Sequence, residues 1–100
     1  MNIEEKNLKH SIVKTGNHLL HMHVPEHDRG TPGTGHTDWK SIAEALKTIS
    51  FSGCLVVESL NPGIGYELAA GGNIWRKYDY NQQETATISL RFLKDNFSMA

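Results

Sequence analysis

The chain has 100 residues, of which 38% are hydrophobic and 21% charged, and its formal net charge is −1 with neutral histidines. These values fit one small globular domain and exclude both a disordered tail and the basic surface that nucleic-acid binding requires. A single cysteine, no long apolar run and no secretory leader predict a cytoplasmic protein without a membrane partner.

The first predicted elements are a helix and a strand. Residues 2–15 favour a helix that Asn2 caps, with Glu5 in a capping-box position and Gly16 as the stop. Residues 18–24 favour a strand, because side chains of one character recur at every second position. Its apolar side consists of Leu20, Met22 and Val24.

A loop over residues 25–37, rich in glycine and proline, leads to a second predicted helix. Asp38 caps this helix, and its apolar stripe consists of Trp39, Ile42, Ala43, Leu46 and Ile49. Residues 54–58 then form an apolar run that is typical of a strand buried on both faces of a parallel sheet. We accordingly expect Cys54 to be a buried small hydrophobe.

In the last third of the chain, the composition of residues 61–80 predicts a glycine-rich connection with a short helical turn near residues 66–70. Residues 82–97 predict a helix whose buried side consists of Ala86, Leu90, Leu93 and Phe97. The order helix–strand–helix–strand–helix predicts two parallel strands with right-handed crossovers. Two strands leave two open edges, so the chain is predicted to be a poor stand-alone domain.

Both predicted strands end in polar side chains. Active sites of α/β proteins form at these carboxyl ends of the strands. His21 and His23 face the same side of the first strand, so both could bind one ion, or one could bind it while the other contacts substrate. A structural role is the simpler interpretation of either histidine alone. Glu58 closes the second strand, and a salt bridge is the simpler alternative to a metal or acid–base role.

The loop between the strands offers a further candidate. Arg29 could hold substrate oxygens, with the glycines around it permitting a tight path, but an exposed solvated loop has the same composition. Gly33 and Gly35 lack the Lys and Ser/Thr that a phosphate loop needs. Trp39 and Trp75 are interpreted as packing residues, with sugar stacking as the alternative.

Several segments, taken together, resemble one protein family. They are His23-Val-Pro-Glu-His-Asp-Arg29-Gly, Pro32-Gly-Thr-Gly35, Asp38-Trp39, Ile49-Ser-Phe-Ser-Gly53, Val56-Val-Glu58 and Asn73-Ile-Trp75-Arg76. The combination resembles the C-terminal part of xylose-isomerase-like TIM barrels and is closest to the D-tagatose and D-psicose (allulose) 3-epimerase group. The resemblance covers nearly the whole chain.

This resemblance implies an α/β fold class, with residues 1–100 forming a partial domain that holds the last βα units of a (β/α)₈ barrel, incomplete in this chain. It implies a metal-dependent ketose 3-epimerase or sugar isomerase that transfers protons through an enediolate. Family members bind a divalent cation, Mn²⁺ in the first place and Mg²⁺ or Co²⁺ as alternatives, through two Glu, one Asp and one His. His23 matches the His ligand, Glu58 matches a Glu that is both ligand and acid/base residue, and Arg29 matches a substrate-binding Arg.

The resemblance also implies that part of the family's site is missing. The Asp-x-x-His element that would lie directly before Met1, and the first catalytic Glu, have no counterpart in this sequence. A barrel normally needs about 250 residues. We therefore expect a fragment that begins after the sixth strand and is inactive alone, from a whole protein that acts on a free ketose.

Two alternatives stay open. The chain could be a non-catalytic truncated product that self-associates through its open strand edges, and we expect a homo-oligomer. It could instead belong to another member of the superfamily, such as a hydroxypyruvate isomerase or an inosose dehydratase. An endonuclease-IV-like protein is disfavoured, because that chemistry uses three metals and a richer His/Asp set, and because this chain is not basic.

Overall fold

The computed structural model describes residues 4–59 and 80–97. In those ranges it contains three α-helices, one 3₁₀ turn and a two-stranded sheet. The predicted helical turn near residues 66–70 and the segment 73–76, with Trp75, lie outside the described residues. Among the described helices, none is long and apolar enough to cross a membrane.

The first helix, α1, spans Leu8–Thr15 and begins later than the sequence predicts. Its cap is Asn7, whose side chain accepts a hydrogen bond from a first-turn backbone N–H at 2.9 Å. The capping box predicted for Asn2 and Glu5 is therefore wrong, because Asn7 satisfies the orphan N–H groups from an extended backbone nearer to the helix. Gly16, at φ 58°, ends α1 as predicted.

The first strand, β1, spans His21–His23 and is shorter than predicted. A 3₁₀ turn over Gly16–His18 occupies the start of the predicted strand. Leu20 therefore leaves the predicted apolar face and is 75% exposed, whereas Met22 and Val24 remain on the side of the core.

The second helix, α2, spans Trp39–Thr48 and agrees with the prediction. The Asp38 side chain caps it by accepting the backbone N–H of Ser41 at 3.1 Å. The residues of α2 that are buried are Trp39, Ile42, Ala45 and Leu46. Ala43 and Ile49, predicted in the stripe, are partly buried against the same core.

The second strand, β2, spans Cys54–Val56 and pairs in parallel with β1, as predicted. The register partners are His21 with Cys54, Met22 with Leu55, and His23 with Val56. The prediction that this strand is buried on both faces is wrong for the described residues. Leu55 and Val57 pack against the core, but Cys54 lies exposed on the opposite face, because the described helices cover only one side of the sheet.

The last helix, α3, spans Gln82–Asn96 and begins with a reciprocal capping box between Asn81 and Glu84. Its buried face is displaced from the predicted one. The residues that face the core are Thr85, Ser89, Phe92, Leu93 and Phe97, whereas Ala86 and Leu90 are exposed. Phe92 and Phe97 contact Trp39 of α2, and the helical repeat then turns Thr85 and Ser89 inward.

The core lies between the three helices and one face of the sheet. Its buried residues are Ile12, Val24, Trp39, Ile42, Ala45, Leu46, Phe51 and Phe97. Trp39 makes edge-to-face contacts with Phe92 and Phe97 at centroid distances of 5.6 and 6.1 Å, so it is a packing residue, as predicted. The outer edges of β1 and β2 have no strand partner within residues 4–59 and 80–97.

Candidate active site

Two predicted site residues meet at the carboxyl-terminal end of the parallel pair. His23 is the last residue of β1, and its register partner is Val56. Side chains two apart in an extended chain point to the same face, so Glu58 lies on the face of His23, one step farther along. The His23 Nδ1 and Glu58 Oε2 atoms are 2.6 Å apart, which is a short hydrogen bond.

Both side chains of this pair are accessible, with exposed fractions of 49% for His23 and 56% for Glu58. The contact uses one nitrogen and one oxygen, and the other two atoms, Nε2 and Oε1, have no partner in the part of the chain that is described. The His21 ring lies edge-on to that of His23, with centroids 5.0 Å apart. The pair therefore offers an imidazole and a carboxylate to a ligand, with a second imidazole beside them.

The donor set of this pair fits part of a divalent-cation site. Imidazole nitrogen and carboxylate oxygen are both ligands that Mn²⁺ and related cations accept. Within the described ranges, no group of three or more His, Cys, Asp or Glu side chains is placed to hold a metal ion. His23 and Glu58 would therefore need further ligands from outside these residues.

A second carboxylate, that of Glu26, is buried in the loop that joins β1 to α2. It accepts four hydrogen bonds, from the backbone N–H groups of His27, Gly33 and Thr37 and from the indole N–H of Trp39. The donor–acceptor distances lie between 2.8 and 3.1 Å. Burying a carboxylate is costly unless donors replace the lost water, and this loop supplies them. Glu26 thus fixes the path of the loop to the start of α2.

The ionisation of Glu26 follows from the same contacts. Burial by itself raises the pKa of the carboxyl, but hydrogen bonds from Thr37, Trp39 and the His27 backbone outweigh it and lower the pKa to about 2. Glu26 is therefore ionised at neutral pH, with both oxygens bonded. Both of its oxygens are bonded within the loop, so the structure gives Glu26 a role in holding the loop.

The third predicted site residue, Arg29, lies in a tight turn of the same loop at a left-handed φ of 67°. The turn is closed by Arg29 N–H donating to the Glu26 carbonyl at 2.9 Å and by Glu26 N–H donating to the Gly30 carbonyl at 3.1 Å. A non-glycine residue in this conformation is strained and must be held by its surroundings. The Arg29 side chain is exposed, and among the described residues its guanidinium contacts neither His23 nor Glu58 through a hydrogen bond or ion pair.

A cavity of about 600 Å³ opens beside His23. Its lining includes apolar side chains of α1, β1 and α2, three acidic residues and four histidines, namely Glu5, Glu26, Asp38, His21, His23, His27 and His36. The His27 and His36 rings are stacked with their centroids 3.5 Å apart. Glu58 does not line this cavity, so the cavity and the His23–Glu58 pair are neighbours that share His23.

Sequence reasoning did not predict Glu26 as the buried anchor of the loop. The composition of residues 25–37 indicates a polar, solvated segment, whereas Glu26 is buried in the structure. The sequence signal was a Glu in a loop that contains glycine and ends at a Trp, and Gly33 and Trp39 are two of its donors. That pattern occurs in many exposed loops, so it does not predict burial by itself.

The chain is similar to several ketose 3-epimerases. It is 35% identical to a probable ketose 3-epimerase of Synechocystis sp. over 97 residues, which cover 97% of this chain and 33% of that protein. A solved L-ribulose 3-epimerase matches it with a TM-score of 0.88 at 29% identity, covering 98% of this chain and 33% of that one. The D-allulose 3-epimerase of Methylomonas sp. in complex with D-allulose matches with a TM-score of 0.85 at 33% identity, covering 96% and 34%. No protein-family model matches.

The chain thus spans about a third of the length of the relatives and solved structures that it matches. Those structures are TIM-barrel epimerases, which confirms the predicted α/β class and the assignment of these βα units to a (β/α)₈ barrel. In a barrel, neighbouring strands cover both edges of each strand and side chains fill the interior. The open edges of β1 and β2 and the exposed face of Cys54 are the surfaces that such strands cover.

Replacing Glu26 by Gln tests the ionised anchor of the loop. Gln keeps the size but loses the charge and one acceptor, so we expect the free energy of unfolding at pH 7 to fall by roughly 2 kcal/mol. Because the folded pKa lies below the ordinary value of 4.5, the Glu26 carboxylate stabilises the fold above that value and loses its contribution as the pH falls toward about 2. The variant should therefore show a flatter dependence of stability on pH across this window.

Urea titrations of both proteins between neutral pH and about pH 2 measure this difference. Glu4→Gln, which removes an exposed carboxylate, is the control and should follow the unsubstituted chain. If Glu26→Gln were destabilised equally at every pH, the carboxylate would not be the group that the loop stabilises in its ionised form.

Proposed function

Because this chain belongs to the ketose 3-epimerase group and spans about a third of the length of its relatives, we propose that it supplies one carboxylate and one imidazole to the metal site of such an epimerase. The 2.6 Å contact between His23 Nδ1 and Glu58 Oε2 carries the proposal. It joins an imidazole and a carboxylate, both side chains of types that bind metals, at the ends of adjacent parallel strands, which is where barrel enzymes form their active sites.

The role proposed for Glu58 is proton transfer. Inverting a carbon beside a carbonyl requires one group that removes a proton from one face and another that returns a proton to the opposite face. The exposed Glu58 carboxylate is accessible for one of these steps. We take the second carboxylate to lie outside the described residues, because both oxygens of Glu26 are buried and hydrogen-bonded within the loop.

His23 and Glu58 are proposed to hold the cation, with Mn²⁺ as the first choice and Mg²⁺ or Co²⁺ as alternatives. When bound, the cation would act as a Lewis acid on the ketone oxygen and the neighbouring hydroxyl. The contribution of the chain itself is orientation. The parallel pairing of β1 with β2 brings His23 Nδ1 and Glu58 Oε2 to 2.6 Å, so a cation bound by both atoms would replace the hydrogen bond between them.

Arg29 is proposed to hold a substrate oxygen. Its guanidinium is a fixed fork of donors that suits neighbouring oxygens of a sugar, and it lies exposed on a turn with a left-handed backbone. Conformations of this kind cluster at ligand-binding positions. The proposed substrate is a free ketose, since the relatives are described as acting on D-allulose, D-psicose or L-ribulose.

A chimera tests the proposed function. This chain would replace the matching third of the Synechocystis relative, and the product would be assayed on fructose, allulose, tagatose and L-ribulose with and without Mn²⁺. We expect metal-dependent epimerisation at carbon 3 of at least one of these ketoses. In the chimera, Glu58→Gln should lower kcat/KM by roughly 10²- to 10⁴-fold, which is the range for loss of an acid–base group.

Glu44→Gln in the same chimera is the matched control, because Glu44 is a half-exposed carboxylate of α2 that pairs with Lys9. It should leave kcat/KM unchanged. A folded chimera that epimerises none of the ketoses, or a Glu58→Gln variant with full activity, would contradict the proposal.

A homo-oligomer of the isolated chain is proposed from its sheet edges. In the described sheet, the outer edges of β1 and β2 carry unpaired backbone groups, and Leu20, directly before β1, is 75% exposed. Edges of this kind pair with other chains. Light scattering over a range of protein concentrations should therefore report a mass above that of the monomer, and a monomer at every concentration would contradict this.

A further inference from the structure

One hydrogen bond joins the two segments that carry the proposed site residues. The Ser59 hydroxyl donates to the Gly30 carbonyl at 2.8 Å, across a sequence separation of 29 residues. Ser59 directly follows Glu58, and Gly30 directly follows Arg29. The bond therefore links the backbone from which Glu58 projects to the backbone from which Arg29 projects.

The turn around Gly30 is itself tightly constrained. The Gly30 N–H donates to the Asp28 carboxylate at 3.0 Å, and the Gly30 carbonyl accepts the Glu26 N–H at 3.1 Å in addition to the Ser59 hydroxyl. Gly30 is buried, and a Cβ at this position would lie 2.9 Å from the same Asp28 oxygen. This turn holds Arg29 at a φ of 67°, a conformation that persists only where the surrounding contacts hold it, and Gly30 is the next residue.

We propose that Ser59 is a positioning residue that fixes Arg29 relative to Glu58. Its hydroxyl provides the second donor to the Gly30 carbonyl and thereby ties the turn to the segment that follows β2. The bond is partly buried, so water competes for it less than it would at the surface. The proposal rests on the proposed function, because it requires Arg29 and Glu58 to act on one substrate.

Amide hydrogen exchange on this chain tests the link without any assay of activity. Ser59→Ala removes the donor, and we expect the Arg29 amide, which closes the turn, to exchange about five-fold faster, as for the loss of one hydrogen bond. Ser59→Thr keeps the hydroxyl and should restore the exchange rate. Ser52→Ala, at an exposed serine before β2, is the matched control and should change nothing.

Exchange at Arg29 that is unchanged in Ser59→Ala, or that Ser59→Thr fails to restore, would overturn the proposal. Unfolding of Ser59→Ala would appear as faster exchange throughout α2 as well as in the turn. In that case the exchange rate of the Arg29 amide in Ser59→Thr is compared with that in the unsubstituted chain. Equal rates show that the hydroxyl holds the turn, and a faster rate in Ser59→Thr would overturn the proposal.

Steady-state kinetics of the chimera separates positioning from general stability. Ser59→Ala should raise KM about five-fold with little change in kcat or in the Mn²⁺ dependence, because Arg29 contacts substrate while His23 and Glu58 hold the cation. A fall in kcat at constant KM would overturn the proposal. If the unsubstituted chimera is inactive on every ketose, the proposed function has failed, and the exchange result still decides whether Ser59 holds the turn.

Discussion

His23 and Val56 are register partners across β1 and β2, and this parallel pairing determines where the polar residues of the site lie. Parallel strands end at the same edge of a sheet and alternate residues share a face, so the register brings the His23 ring to Glu58. A shift of one residue would turn His23 toward the helices, where Met22 now packs against the core. The 2.6 Å contact is therefore a consequence of backbone pairing.

The two carboxylates of this region differ because their environments differ. Glu58 is 56% exposed and has one imidazole as its partner, so it is accessible to a ligand. Glu26 is enclosed by four donors, and hydrogen bonds from Thr37, Trp39 and His27 outweigh its burial and lower its pKa to about 2, so its charge holds the loop in place. Trp39 connects these parts, since its ring packs on Phe92 and Phe97 while its N–H donates to Glu26. Trp39 thus contacts both the core and the loop that contains Glu26.

Local signals in the sequence were sufficient to predict α2, which Asp38 caps, and the placement of His23 and Glu58 at the ends of parallel strands, which meet at one edge of the sheet. Features that depend on distant partners were not predictable. Cys54 follows an apolar pattern, but only the side of its strand facing the helices is covered by described residues. The burial of Glu26 depends on the Trp39 donor 13 residues away, and no local pattern indicates that a loop closes around its own carboxylate.

NMR of the isotope-labelled chain during titration with Mn²⁺ tests the convergence of His23 and Glu58 on one cation most directly. A paramagnetic ion broadens the resonances of the groups that bind it. We predict that the His23 ring and the Glu58 side chain broaden together at the lowest Mn²⁺ concentrations, and that His23→Ala strongly reduces the broadening at Glu58. Broadening that begins at the stacked His27 and His36 rings, or that His23→Ala leaves unchanged at Glu58, would contradict a shared cation site.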